Sequence, residues 1–303
     1  MMTPVGRPMS RMPSGAAPKR PTRSAREYPP FLAFALVAPL LMLLAFSFLY
    51  PVGRLMLGSV NFPSFEIEAY RRMFDQPLYL GVLWRTFQIG LFVMTAGLVL
   101  GYPVAYAMAR LKGRWSTFVA ACVLISLWTS ILVRSYAWIV LLQRNGLVNR
   151  TLIEAGLIHE PLRLLYTEAA VIMAMTHVLL PYMILPIYSV VRTIPNELSQ
   201  AARNLGAGGW TVFFKIILPL SLPGVFAGCL MTFILALGFY ITPALVGGPN
   251  TLMMATLIGQ QTTQLLDWPF AGALSAVLLA ATLLLVGVFR KVFAINKGFS
   301  GAV

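Results

Sequence analysis

Charge is what this chain has least of. Only 11% of its 303 residues are Asp, Glu, Lys or Arg, whereas roughly a quarter is usual in soluble domains. With 58% hydrophobic residues and a mean hydropathy of +0.79, that shortage excludes an ordinary soluble chain and reads as an all-α polytopic membrane protein. Acids are the scarcest: there are nine, and none lies inside a long apolar run. Carriers driven by protons or sodium hold the coupling ion in low dielectric with an intramembrane acid or a broken-helix site, so transport powered from within this chain is disfavoured. The dipeptide Gly-Lys does not occur, which excludes a Walker A phosphate loop. Nucleotide energy would have to enter from another polypeptide. Cys122 and Cys229 both sit in apolar runs, and His159 and His177 stand apart. No disulfide framework, metal site or catalytic constellation is supported, and the chain is expected to be no enzyme and to bind no metal or cofactor of its own. No internal repeat of the kind that builds many carriers is visible either.

What is present is apolar length. Six runs are long enough to cross a bilayer, at about 31–52, 87–109, 118–142, 170–191, 220–246 and 270–289. Basic residues test the topology. The tail 1–30, the turn 110–114, the loop around Arg192, Arg203 and Lys215, and the C-terminal segment together hold fifteen Lys or Arg against two acids, Glu27 and Glu197. The three alternate loops hold seven of each sign, with Glu154, Glu160 and Glu168 in a partly helical external cap over 143–169. The positive-inside rule then places both termini in the cytoplasm, leaving a disordered basic tail over 1–30, a six-span domain over 31–292 and a short tail over 293–303. It also accounts for the net charge of +14 without nucleic acid as a partner.

One stretch breaks the apolar monotony. Between Pro195 and Pro223, Leu198, Ala201, Ala202 and Leu205 follow helical spacing, Gly206 ends that helix, and Trp210, Phe213, Phe214 and Ile217 repeat the spacing. A helix, a glycine turn and a second helix between two spans form a cytoplasmic knob for a partner to grip. The competing reading is an amphipathic hairpin that lies on membrane lipid.

Gln200, Ala201, Ala202, Gly206, Ile216, Leu218 and Pro219 stand in the spacing of the EAA loop, and in them the chain resembles permease subunits of binding-protein-dependent ABC importers. The resemblance implies that 195–219 is a coupling loop docking in a groove of an ATPase subunit. Gln200 occupies the position where that family usually has Glu, so the loop keeps the shape and lacks the charge. The runs LWTSILVRSYAWIVLLQRNGLVN (127–149), LLPYMILPIY (179–188), GFYITPALVGGP (238–249) and DWPFAGALS (267–275) are similar to the spermidine/putrescine branch. That likeness implies the six-helix, MetI-like architecture of a type I importer in the bacterial cytoplasmic membrane. It further implies two ATP-binding subunits that use ATP and Mg, a second permease subunit that is a copy or a relative, and an external substrate-binding protein. The implied cargo is a polyamine or related amino compound; an opine, amino acid or other zwitterionic or anionic solute is the alternative, and a stand-alone carrier comes after both.

The candidate translocation path comprises Trp128, Arg134, Tyr136, Trp138, Tyr240, Thr242 and Pro243. Arg134 is the one charge deep in a span, and a buried guanidinium needs a helix partner, a carbonyl or a wet path. Arg134 is therefore read first as a hydrogen-bond anchor and second as a cargo contact; His177 is read the same way. The aromatics could enclose an organic cation, helped by carbonyls released around Pro243 and Gly247. One tension is left: a polyamine is a multiple cation, while these spans offer no acid and one Arg.

Overall fold

The computed structural model describes residues 30–60 and 67–300, so the tail expected over 1–30 lies, but for its last residue, outside the described residues. Among the described residues all regular structure is helical. The chain divides into two compact units, residues 1–52 and 53–303. In the first, α1 (Pro30–Leu44) passes through a π-helical turn (Ala45–Leu49) into α2 (Tyr50–Gly58), most of whose residues are counted in the second. Phe34–Gly58 is an apolar segment of 25 residues, enough to cross a membrane.

The second unit continues with α3 (Glu68–Asp75) and α4 (Pro77–Arg110). Sequence reading starts this span at 87; the helix starts ten residues earlier, because Pro77 sits at a first-turn position whose missing N–H has no intrahelical partner to lose. Its 34 residues extend about 50 Å at 1.5 Å each, well beyond a hydrocarbon core. The third span, read as continuous over 118–142, is broken instead: α5 (Arg114–Trp128) and α6 (Ile131–Leu142) are separate, and the segments Arg114–Trp128 and Ile131–Glu154 meet at 97°. Thr129 and Ser130 are extended there, with ψ of 137° and 136°, and the Thr129 N–H and hydroxyl both donate to the Ile125 carbonyl, at 3.1 and 2.8 Å. The hydroxyl thus finds an acceptor within the last turn of α5, on a carbonyl that also keeps its helical bond, so the break leaves no polar side chain open in an apolar run.

After α7 (Leu147–Glu154), α8 (Glu168–Thr193) starts on Thr167, whose hydroxyl accepts from the Ala170 N–H at 3.2 Å. Next come α9 (Asn196–Asn204), α10 (Gly209–Val212), a second π-helical turn (Phe213–Ile217) and α11 (Leu218–Leu237). The fifth span is thus shifted rather than shortened: it runs over Gly209–Leu237, because α10, the π-helical turn and α11 are contiguous, while Gly238 to Tyr240 leave the helix and α12 (Ile241–Val246) forms apart. Residues 247–269, read as a loop, contain α13 (Met254–Thr263), and the last helix, α14 (Trp268–Ser300), runs through the expected tail boundary at 293. Among the described residues five segments are long and apolar enough to span, and counting the bent pair as one gives a sixth.

The centre of the unit is α4, α8 and α11, which pack on one another. Tyr102, Ala105 and Met108 of α4 meet Met183, Ile187 and Val191 of α8 and Cys229 of α11. Lipid is as apolar as these side chains, so close approach has to do the work that water exclusion does elsewhere. On α11, a Cβ at Gly224 would lie 2.8 Å from the Pro186 carbonyl oxygen and one at Gly228 would lie 2.9 Å from that of Met183, so only glycine admits α8 at this distance.

Candidate functional site

The first helix and the glycine turn of the knob form as the spacing predicts, but the second helix is not separate: α10 and the π-helical turn run directly into α11 as one segment, Gly209–Leu237. α9 closes on a paired motif: the Ala207 N–H donates to the Ala202 carbonyl at 3.0 Å and the Gly206 N–H to the Arg203 carbonyl at 2.9 Å, with Gly206 at φ +86°. These are the six-to-one and five-to-two bonds of a Schellman end, which requires a left-handed residue where Gly206 stands. A small core of Ile194, Val212 and Ile217, with Ala202, Ala207 and Ile216 packed on it, holds the knob to its roots. Arg110, at the end of α4, donates through Nη1 to the Ile194 carbonyl at 3.3 Å and to Asn196 Oδ1.

Gln200, Ala201, Gly206 and Pro219 are exposed, while Ala202, Ile216 and Leu218 are half-buried. The apolar face of α9 does not turn inward: Leu205 is 90% exposed. The second set of four does not share one face. The π-helical turn widens the backbone after Val212, burying Ile217 and leaving Trp210 77% exposed, with its ring stacked at 5.9 Å on the exposed Phe214. Spacing alone gives no sign of the extra residue in that turn, which is why the register goes wrong there.

The path candidates separate into two groups. Arg134, only 8% exposed, donates from Nη1 to the Val178 carbonyl on α8 at 3.2 Å, and Trp138 Nε1 donates to His177 Nδ1 at 3.2 Å. One turn of α6 is thereby tied to α8, and Ser135 joins the buried Thr242 hydroxyl of α12 at 2.9 Å. Trp128 is 82% exposed at the end of α5, and Tyr136 is also exposed, so neither joins this cluster. Tyr240 lines a cavity of about 430 Å³ with Pro243, Gly247, Thr256, Gln260 and Gln264. The carbonyl expected to be free at Pro243 is taken by the Gly247 N–H at 3.0 Å. Gln260, Gln264 and Thr256 were not singled out by sequence. Their only mark is a run of amides and hydroxyls, TLIGQQTTQ, in an uncharged stretch that reads as loop.

The outer segments are fastened by ion pairs. Arg72 meets Asp267 at 2.9 Å and Arg85 meets Glu168 at 3.0 Å, while the Met254 N–H donates to the Thr86 hydroxyl at 2.8 Å and so fixes α13 to α4.

Residues 97–294 match the family described as binding-protein-dependent transport system inner membrane component. The chain is 36% identical over 263 residues to the spermidine/putrescine transport system permease protein PotB of Haemophilus influenzae, covering 86% of this chain and 90% of that one. It is 35% identical over 234 residues to PotB of Escherichia coli, covering 77% and 85%. Its fold is shared with a bacterial ABC transporter that imports alginate, at a TM-score of 0.68 and 16% identity over 86% of this chain and 96% of that one. The family match takes in the knob, the central helices and the broken third span, and the chain belongs to the binding-protein-dependent transport system inner membrane components, as a membrane permease and not an enzyme.

Proposed function

We propose that this chain is one of two membrane permeases in an ATP-driven importer of polyamines, worked by an ATPase that grips 195–219. The observation that supports the coupling role is the knob itself: a Schellman-ended helix held by its own small core, with Gln200, Ala201 and Leu205 turned outward. A hairpin lying on lipid would not need a turn locked this firmly. Two ATP-binding subunits using ATP and Mg, a second permease and an external binding protein complete the assembly. Both termini lie on the cytoplasmic side of the bacterial inner membrane, in keeping with the basic residues beside the knob.

Polyamine cargo is supported by the two PotB relatives, which are spermidine/putrescine permeases. The tie from Arg134 to Val178 supports its reading as an anchor and eases the conflict between a cationic cargo and a lone intramembrane cation. An ammonium passing this subunit would then meet aromatic faces and neutral oxygens, of the kind gathered at Tyr240, Gln260 and Gln264. The test is uptake of labelled spermidine and putrescine by a cell carrying the full system. Uptake should require ATP hydrolysis by the partner subunit. No polyamine uptake, together with tight binding of a sugar or acidic solute by the cognate binding protein, would overturn the cargo; uptake that survives loss of the ATPase would overturn the importer.

A further inference from the structure

At the knob end of the second unit two aromatic pairs face outward. Trp115 and Phe118 open α5 with their rings edge to face at 6.4 Å, and Trp210 and Phe214 open the segment Gly209–Leu237, stacked at 5.9 Å; all four side chains are exposed. Both pairs are rooted on one stretch of α4. The Ser116 hydroxyl donates to the Met108 carbonyl at 2.8 Å, and Phe213, whose ring meets that of Phe214 at 5.0 Å, packs edge-on against Tyr106 at 5.9 Å. Tyr106 and Met108 differ by about 3 Å along a helix axis, so the two pairs stand at one level of the bundle.

Basic residues accompany each pair and acids do not: 110–118 holds Arg110, Lys112 and Arg114, and 203–217 holds Arg203 and Lys215, with no Asp or Glu in either. Lys112, Arg114 and Lys215 are exposed. Length sets the level as well. Gly209–Leu237 has 29 residues, about 43 Å of helix, against about 30 Å of hydrocarbon and about 40–45 Å with the headgroup layers, so its ends reach the headgroups. Further along the same two helices Leu124, Ile125, Leu220 and Leu222 are exposed, and the aromatic pairs continue that apolar surface.

We propose that the two pairs anchor this end of the chain in the headgroup layer of an anionic membrane leaflet, with the rings at the boundary to the acyl chains and Lys112, Arg114 and Lys215 on lipid phosphates. A ring with one polar edge and a long-stemmed cation beside it suit that layer. Of the exposed apolar groups of the knob, Trp210 and Phe214 then belong to lipid, while Leu198 and Leu205 on the amphipathic α9 are left for a protein. An ATPase surface is the competing occupant for Trp210 and Phe214. It does not account for Trp115 and Phe118, which repeat the same chemistry at the same level on another helix.

The chain has six Trp, so the test reads a difference: emission of the wild-type complex minus that of Trp210→Phe, in nanodiscs containing brominated lipid. Bromine near the glycerol end should quench the Trp210 component more than bromine near the methyl end, with the ATPase bound as well as without it. Brominated phosphatidylglycerol should quench it more than brominated phosphatidylcholine at equal mole fraction, and Lys215→Gln should reduce that preference by about fivefold. Trp115→Phe should show the same depth and the same preference, and it decides alone should Trp210→Phe fail to assemble. Quenching from neither bromine position, or more from the methyl end, would overturn the anchor. Quenching that disappears when the ATPase binds would give the pair to the ATPase and overturn it as well, and so would equal quenching by the two headgroups. None of these signals requires uptake, so the anchor is decided separately from the importer.

Discussion

The knob and the outer half of the bundle are built on opposite plans. In the knob, the backbone is locked by near neighbours in sequence and large apolar side chains are left outside: Leu198, Leu205, Trp210 and Phe214 are all exposed. In the outer half, the helices break at Thr129 and again at Gly238, and polar side chains tie distant segments together, as Ser135 does with Thr242 and Thr86 with Met254. A surface for a partner needs a stiff local frame, and a path through a membrane needs irregular backbone that is satisfied internally. The same composition serves both because short-range turn chemistry governs one and long-range hydrogen bonds govern the other.

Substitutions can break this contrast, beginning with the helices that carry both regions. Gly228→Leu should be the most damaging. Its Cβ would be pressed to 2.9 Å from the Met183 carbonyl oxygen, and forcing α8 from α11 should cost several kcal/mol and abolish the assembled complex in detergent. Gly206→Val comes next, since a β-branched residue at φ +86° costs about 1–2 kcal/mol locally. The complex should assemble and hydrolyse ATP while the cargo taken up per ATP falls sharply; an unchanged ratio would show that the locked turn is not what transmits force. Thr242→Val removes the bond to Ser135 and should lower stability by about 0.6 kcal/mol, read as a small fall in melting temperature with uptake affected more than ATP hydrolysis. Gln200→Glu should do least. Gln200 is exposed, and a carboxylate there should leave assembly within about 0.5 kcal/mol of wild type in a binding titration. Loss of the complex would show that the uncharged side chain is matched to its partner.

The same contrast explains what the sequence disclosed. Gly206, Pro195 and the alanine pair carry their own geometry, so the turn and the first helix of the knob were legible residue by residue. So was the set of apolar helices, five or, with the bent pair counted as one, six among the described residues, which needs only apolar length. The break at Thr129 and Ser130 was not legible, because both flanking segments are apolar and hydropathy sees one run. α13 is hidden for the opposite reason: its Thr and Gln lower the hydropathy, and what buries it is distant in sequence, with Met254 and Leu257 packed against Tyr79, Val82 and Phe270 and the Met254 N–H bonded to Thr86, 168 residues away. Arg134 stands out in the sequence as the lone deep charge, and nothing in its sequence neighbourhood points to the Val178 carbonyl that it meets. Trp128 and Tyr136 were grouped with it by proximity along the chain, and the bend of 97° and the turn of α6 carry them elsewhere.

The length of α4 has a mechanical consequence. At one end Tyr79 and Val82 are clasped by Met254 and Phe270, and at the other Arg110 grasps the entrance to α9. One helix held at both ends joins the two regions, and Pro103, which removes a backbone bond between them, is where a displacement begun at Arg110 would bend the rod before it reached Tyr79.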